Sequence, residues 1–164
     1  MKTRIKNLLL LPALTAGLGL TLAGRVTAQT LTTLYSFTAT STNGWNDDGA
    51  NPIAALILSS NTLCGTAYAG GGSGLGTVFK LDPDGAGFTI LHSFTALTNG
   101  TNSDGANPRG SLVVAGDTLY ATAMRGGNSV SGTVFAVNTN GTGFTNLHSL
   151  DFFFDGNEPQ FGLV

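Results

Sequence analysis

Cysteine, cationic residues and helical periodicity are all scarce in this chain. A single cysteine, Cys64, leaves no partner for an internal disulfide, so stability must come from packing or from a larger assembly. Lysine and arginine together number seven, too few and too scattered for the basic surface of a nucleic-acid-binding protein. No segment after residue 28 has the 3.6-residue periodicity of an amphipathic helix, and none is apolar enough to span a membrane.

The first 28 residues have the three parts of a secretory signal peptide. Lys2, Arg4 and Lys6 form a basic head, residues 8–22 form an uncharged apolar run, and Val26-Thr27-Ala28 offers small residues at a cleavage site. The run is shorter than the ~20 residues that cross a bilayer. We therefore expect export to the cell surface or the extracellular space, with an uncleaved N-terminal anchor as the alternative.

Cleavage after Ala28 would leave a mature chain, residues 29–164, that is acidic. Four of the seven basic residues lie in the signal peptide, so three remain against nine acidic residues and the net charge is −6. This charge disfavours nucleic acid and anionic membrane surfaces as partners. The abundance of glycine, threonine, asparagine and serine favours strands and tight turns.

Internal repetition is the strongest pattern in the sequence. Residues 49–94 align without a gap on residues 105–150 at an offset of 56, and 23 of the 46 aligned positions are identical. A third copy begins at Asp155, after a loop that is five residues shorter. The mature chain thus divides into an N-terminal strand and loop at 29–48, a first repeat at 49–104, a second at 105–154 and the start of a third at 155–164.

Each repeat is predicted to form four short antiparallel strands. Segments rich in β-branched and aromatic residues, bounded by turn residues, predict strands of the first repeat at 53–58, 62–68, 77–81 and 88–94. Asp-Gly and Asn-Gly pairs supply the positive φ angles that tight hairpins need. Residues 31–37 match the fourth of these strands, so a lone fourth strand is predicted ahead of the first repeat.

Four antiparallel strands in a repeat of this length are typical of a β-propeller blade. The predicted fold is therefore all-β, with tandem four-stranded antiparallel blades of an incomplete propeller-like ring. Propellers usually have about four to eight blades, so we expect these residues to be part of a longer protein. An open two-blade stack or a β-solenoid is the alternative fold. An incomplete ring would leave an open sheet face, which predicts self-association.

The combination of motifs resembles the GloVer tandem repeat of secreted bacterial proteins. It consists of G-T-V-F followed by F-T-x-L-H-S-F at residues 76–94, D-G-x-x-P at 104–112 and T-L-Y with a double glycine at 118–127. The resemblance extends over nearly all of the mature chain and implies export, a propeller-like repeat domain and a C-terminal cell-surface anchor. It implies no enzymatic activity. The 164 residues contain no such anchor, which a longer protein and a freely released one would explain equally well.

Five aspartates are candidate calcium ligands, although a role in turns is the favoured interpretation. Asp48, Asp104 and Asp155 each precede a glycine in the D-G-x-x-P motif, and one carboxylate per loop is few for an ion that takes about six to eight oxygens. We predict Asx-type turns there. Asp82 and Asp84 resemble the start of a calcium loop, but the second repeat has asparagine at both positions. We therefore expect a hairpin turn and no bound cofactor.

Histidine and cysteine are interpreted as packing residues. His92 and His148 occupy one repeat position, and Tyr35 is its counterpart in the N-terminal segment. Tyrosine in place of histidine argues against a metal or general-base role and favours packing at a blade edge. Cys64 aligns with Tyr120, which also favours packing.

Two further features have structural interpretations. The glycine clusters at residues 70–72 and 126–127 lack the lysine and the following helix of a phosphate loop, so we predict flexible connections. The three phenylalanines at 152–154 predict either an exposed interaction patch or packing between blades.

Three functional hypotheses remain, none with a catalytic site in these residues. The favoured one is a non-catalytic scaffold for extracellular binding or adhesion, with a glycan or a protein as ligand. The second is a fragment of a propeller-type carbohydrate-active enzyme, whose carboxylates would collect at a central channel. The third is a purely structural spacer, against which the variable loops at 40–46 and 97–102 argue, since loops vary where function is carried.

Overall fold

The computed structural model describes residues 30–164, which contain nine β-strands. The predicted signal peptide, residues 1–28, lies outside the described residues, so export stays a prediction. Within residues 30–164 no helix has the length and apolar character needed to cross a membrane. The predicted all-β class is confirmed, and the strands form two antiparallel sheets of four and five strands.

The first sheet contains four antiparallel strands in chain order. They are β1 (Ile57–Ser59), β2 (Thr62–Ala67), β3 (Thr77–Leu81) and β4 (Thr89–Ser93). The last three agree with the predicted strands to within one residue at each end. The predicted first strand, residues 53–58, starts too early. The chain pairs with the end of this sheet at a single bridge from Ala50 to Ala69, then departs at Asn51, whose φ is 55°, and rejoins at β1.

The second sheet has five strands where the repeat predicted four. They are β5 (Ala106–Pro108), β6 (Val113–Ala115), β7 (Thr118–Arg125), β8 (Thr133–Asn138) and β9 (Thr145–Ser149). β5 pairs with the end of β7 and β6 with its start, so both belong to one interrupted inner strand. β5 corresponds to the bridge at Ala50 in the first repeat.

The N-terminal segment is not the lone strand that the sequence predicts. Residues 30–40 carry no strand assignment. A strand needs a neighbouring ladder, and among residues 30–164 no third strand of a preceding unit is present to pair with this segment. Tyr35 and Phe37 nevertheless pack on the first sheet, against a cluster that includes Ala67, Phe79 and Leu81.

The main hydrophobic core lies between the two sheets. Its fully buried members include Val78 and Phe94 from the first repeat and Leu119, Phe135 and Val137 from the second. Both sheets have an irregularity in register at one repeat position, next to Phe79 in β3 and next to Phe135 in β8. Such a bulge redirects the side chains that follow it. Both redirected phenylalanines are buried.

The opening loops of the second and third copies dock on the preceding sheet. The Asn107 backbone N–H donates to the Leu75 carbonyl at 2.7 Å, and the Asn107 side-chain amide donates to the Tyr68 carbonyl at 3.0 Å. A methyl group on Gly76 would lie 2.6 Å from Cδ of Pro108. Because this approach leaves no room for a side chain, glycine is required at that position. The third copy repeats the contact, with Pro159 against Gly132.

Candidate functional site

A ring-to-carboxylate hydrogen bond is repeated three times along the chain. Tyr35 Oη donates to Asp48 Oδ2 at 2.8 Å, and His92 Nε2 lies 2.9 Å from Asp104 Oδ2. In the third copy, Nε2 of His148 lies 2.8 Å from Oδ2 of Asp155. Tyrosine can replace histidine because both place a polar atom at the far end of a flat ring. Sequence reasoning missed this pairing. Its signal in the sequence was that a ring and a D-G motif recur together in each copy, although their spacing varies from 13 to 7 residues.

Threonine completes the carboxylate network in the first two copies. Asp48 accepts hydrogen bonds from the backbone N–H and the hydroxyl of Thr38 at 2.8 and 2.7 Å. Asp104 accepts the same pair of hydrogen bonds from Thr95. These donors precede the aspartates by 10 and 9 residues. The arrangement is therefore a clamp across a connection, and not the Asx-type turn that the sequence predicts.

The clamps keep both carboxylates ionised. Burial raises the pKa of Asp104, but the hydrogen bonds from His92 and Thr95 outweigh that effect and the pKa lies below its usual value. For Asp48, burial likewise raises the pKa, and the hydrogen bonds from Thr38 and Tyr35 reverse the shift. Hydrogen bonds to the charged form of an acid favour that form.

Two aromatic clusters, equivalent in the repeat, extend from the clamps into the next sheet. The first interface comprises Tyr35, Phe37, Phe79 and Phe88. The second interface comprises His92, Phe94, Phe135 and Phe144. In both, the first and fourth rings stack, at 3.8 Å and 3.5 Å between centroids. The second and third rings meet edge to face, at 5.3 Å and 5.4 Å, both at 75°. Each clamp therefore also orients a ring that packs between repeats.

The glycine clusters are held by asparagine side chains. Asn46 Oδ1 accepts hydrogen bonds from the backbone N–H groups of Gly49 and Gly71, both at 2.9 Å. Its amide donates to the carbonyls of Thr38 and Gly49. Asn102 forms the same four hydrogen bonds one repeat later. One glycine of each cluster, Gly71 or Gly127, is thus hydrogen-bonded to an asparagine of the preceding loop, and the predicted flexibility of these connections stays a prediction.

The third copy is the most exposed of the three. The His148 side chain is 55% exposed and that of Asp155 36%, against 18% for His92 and 6% for Asp104. The phenylalanines predicted as a patch or as packing are also exposed, from 61% at Phe152 to 87% at Phe154.

The remaining calcium candidates lie in a hairpin turn between β3 and β4. The Asp84 side chain accepts from the Ala86 N–H at 2.9 Å, and the backbone carbonyl of Asp82 accepts from the Gly85 N–H at 2.8 Å. Among residues 30–164, no three side chains of histidine, cysteine, aspartate or glutamate are grouped as metal ligands. The structure therefore does not gather the five candidate aspartates into one site. Asp48, Asp104 and Asp155 take part in three separate ring-to-carboxylate hydrogen bonds, and Asp82 and Asp84 lie in one hairpin turn.

Cys64 is fully buried in the main core. Burial raises the pKa of its thiol, and the nearby charge of Lys80, its partner across the β2–β3 ladder, acts weakly in the opposite direction. A buried neutral thiol in a core is a packing group.

A cavity of about 370 Å³ lies at the inner edge of the sheets. We call it the inner-edge cavity. It is lined by three segments that are equivalent in the repeat, residues 53–55, 109–111 and 160–162. Each follows the proline of the D-G-x-x-P motif. Sequence reasoning missed this site. The signal that could have indicated it is a variable triplet of residues after each repeated proline.

The cavity walls are tied together by backbone and side-chain contacts. Thr66 Oγ1 lies 3.4 Å from the Gly110 carbonyl, and Thr122 Oγ1 donates to the Phe161 carbonyl at 3.2 Å. Across the opening, Arg109 Nη1 donates to Gln160 Oε1 at 3.0 Å. The site thus combines a cation, an amide and an aromatic residue on segments that these contacts join.

One comparison with known proteins identifies a family. A model of the Gloeobacter/Verrucomicrobia repeat matches residues 15–164, nearly the whole sequence. No curated protein and no solved structure matches the chain. The family match agrees with the repeated motifs and with the two equivalent interfaces described above. This chain belongs to the Gloeobacter/Verrucomicrobia repeat family.

Proposed function

We propose that this protein is an exported, non-catalytic repeat scaffold that binds a ligand at the cell surface or outside the cell. The observation that carries the proposal is the inner-edge cavity. Its framework is the same in each repeat, because a proline precedes each lining triplet. Its lining differs, because Ile53, Arg109 and Gln160 occupy equivalent positions. A constant framework with variable lining is the pattern of a binding scaffold.

Close packing of the lining segments supports a role in binding. A methyl group on Gly110 would lie 2.6 Å from the backbone of Phe161, so the second and third segments are in direct backbone contact. A pre-formed site loses little conformational entropy when a ligand enters it. The cavity volume, about 370 Å³, falls in the range of roughly 300–1,000 Å³ that is typical of small-ligand pockets.

The state of the polar side chains supports a role without catalysis. The carboxylates of Asp48 and Asp104 accept hydrogen bonds from the clamps, and the His92 ring is stacked on Phe144. Groups held in this way stabilise the connection between repeats. At the same position of the first copy Tyr35 makes the equivalent hydrogen bond, so this position does not require a residue that acts as a general base near neutral pH.

Export rests on the sequence alone. The basic head, the apolar run and the Val26-Thr27-Ala28 cleavage site support it. Expression of the whole chain in a bacterial host, with cell fractionation and N-terminal sequencing, tests this part. A mature protein that begins at Gln29 outside the cytoplasm is the expected result, and an unprocessed cytoplasmic chain would contradict it.

A blocking variant tests the binding part. The whole processed chain is applied to arrays of glycans and of cell-envelope fractions, and any ligand bound is compared with the Ala55→Trp variant. Ala55 lines the cavity, and the indole would fill part of it. Ala115→Trp, at an equally exposed alanine at the end of β6, is the matched control. Loss of binding only in Ala55→Trp supports the scaffold. No ligand on either array would favour the spacer hypothesis.

A further inference from the structure

Within residues 30–164 Arg109 has no acidic partner at salt-bridge distance, and it lines the inner-edge cavity. Among the described residues, its polar contact is the neutral amide of Gln160. The other two cations of residues 30–164 are placed differently. Lys80 donates to the Thr139 carbonyl at 3.0 Å, and Arg125 lies 3.9 Å from Glu158. Of these three cations, Arg109 is the one that lines the cavity.

The guanidinium group of Arg109 keeps donors available for a ligand. A guanidinium has five N–H donors in a planar fork, and the contact with Gln160 uses one nitrogen, Nη1. The remaining donors match the spacing of the two oxygens of a carboxylate, with which arginine forms bidentate pairs. A neutral amide neighbour does not neutralise the arginine, so its charge can act on a bound anion.

The rest of the lining suits a flat, hydroxylated molecule. Phe161 belongs to the cavity lining and its side chain is 84% exposed, so the aromatic ring is accessible to a ligand. Such a face carries a partial negative charge and attracts the C–H groups on one side of a sugar ring. Ser111 and Gln160 supply polar groups that can bind hydroxyls. Gly110 and Gly162 have no side chains that would occupy the cavity.

The surrounding charge disfavours a ligand with several negative charges. The predicted mature chain has three cations against nine acidic residues, so its field repels polyanions. One arginine can balance one carboxylate. We propose, resting on the proposed function, that the inner-edge cavity binds a saccharide that carries a single uronic acid, with Arg109 on the carboxylate and Phe161 against the ring.

The test compares two sugars that differ in the carboxylate alone. Methyl β-D-glucuronide and methyl β-D-glucoside are titrated separately into the whole processed chain, and binding is followed by NMR chemical shifts. We expect the glucuronide to bind at least tenfold more tightly. Arg109→Gln should remove that difference, while Arg125→Gln, a matched loss of charge outside the cavity, should leave it unchanged. Phe161→Ala should weaken both sugars.

Three outcomes would overturn the inference. They are equal affinity for the two sugars, an equal loss in both arginine variants, or no binding of either sugar to the unmodified chain. The arrays with Ala55→Trp judge the proposed function separately. A ligand that is lost in Ala55→Trp but lacks a uronic acid would keep the scaffold and reject this specificity.

Discussion

The first and second interfaces have the same side-chain geometry on different backbones. The edge-to-face pairs Phe37–Phe79 and Phe94–Phe135 share an angle of 75°, and their centroid distances differ by only 0.1 Å, at 5.3 and 5.4 Å. In the second interface His92 lies within β4, which is paired with β3, and Phe94 follows it directly. Their counterparts in the first interface, Tyr35 and Phe37, belong to residues 30–40, which carry no strand assignment.

This difference distinguishes the contacts that place a segment on the next sheet from those that strengthen its attachment. Phe94 is 1% exposed, whereas Phe37 is only half-buried. Ring stacking and the aspartate clamp are present in both, so side chains alone are sufficient to place the segment on the sheet. The ladder adds burial, and burial of apolar surface stabilises by about 25 cal/mol per Å².

The largest expected loss of stability comes from truncating Phe94, and its counterpart in the first interface is Phe37. Phe94→Ala leaves a cavity in the main core and should lower the free energy of unfolding by about 3–5 kcal/mol. Phe37→Ala should cost clearly less, because its ring is only half-buried. Urea denaturation of both variants measures the two losses. Equal losses would mean that the ladder adds nothing to the docking.

Removal of the asparagine that holds the glycine cluster should affect both repeats alike. Asn46→Ala and Asn102→Ala each delete the same four hydrogen bonds and leave buried backbone groups without partners, at a cost of about 1–3 kcal/mol. Thermal denaturation of the two variants side by side is the measurement. A difference of more than about 1 kcal/mol between them would show that the repeats are not equivalent here.

Acid should weaken both clamps in the same pH range. The pKa values of Asp48 and Asp104 are lowered in the folded state, so their contribution is present above the unfolded value of about 3.9 and is lost as pH falls through the folded pKa. Asp104→Asn and Asp48→Asn should therefore be less stable than the unmodified chain at pH 7, with the gap closing towards pH 3. Acid titrations followed by Trp45 fluorescence and circular dichroism test this. A gap that widens below pH 4 would have the wrong sign.

The smallest effect is expected in the exposed third copy. Phe153→Ser should change the free energy of unfolding by less than about 0.5 kcal/mol, because the ring is 85% exposed. Denaturation at two protein concentrations detects any change in association as well. A variant that melts at a much lower temperature would show that Phe153 packs in solution, against another part of the assembly.

The predicted and observed strands agree best where the local residue pattern is sufficient to define the strand. β2, β3 and β4 were predictable because alternation and turn glycines are local properties of the chain. The first strand was placed wrongly because Ile53 lies in a segment that leaves the ladder to line the inner-edge cavity. Residues 31–37 resemble a strand in sequence, but a strand needs a partner that sequence similarity cannot supply.

The repeat, the all-β class and the equivalence of Tyr35, His92 and His148 can all be read from the amino-acid sequence. The sequence also made a packing role for Cys64 predictable, because a position that exchanges with tyrosine does not depend on a reactive thiol. These properties follow from the order of residues along the chain.

Tertiary structure alone decided which distant groups meet. The contacts of Asp104 with His92 and of Arg109 with Gln160 join residues 12 and 51 positions apart. No local rule connects such positions, because their approach depends on how one repeat stacks on the next. The clamps and the inner-edge cavity exist only after the sheets have packed, since burial of the shared core brings the repeats together.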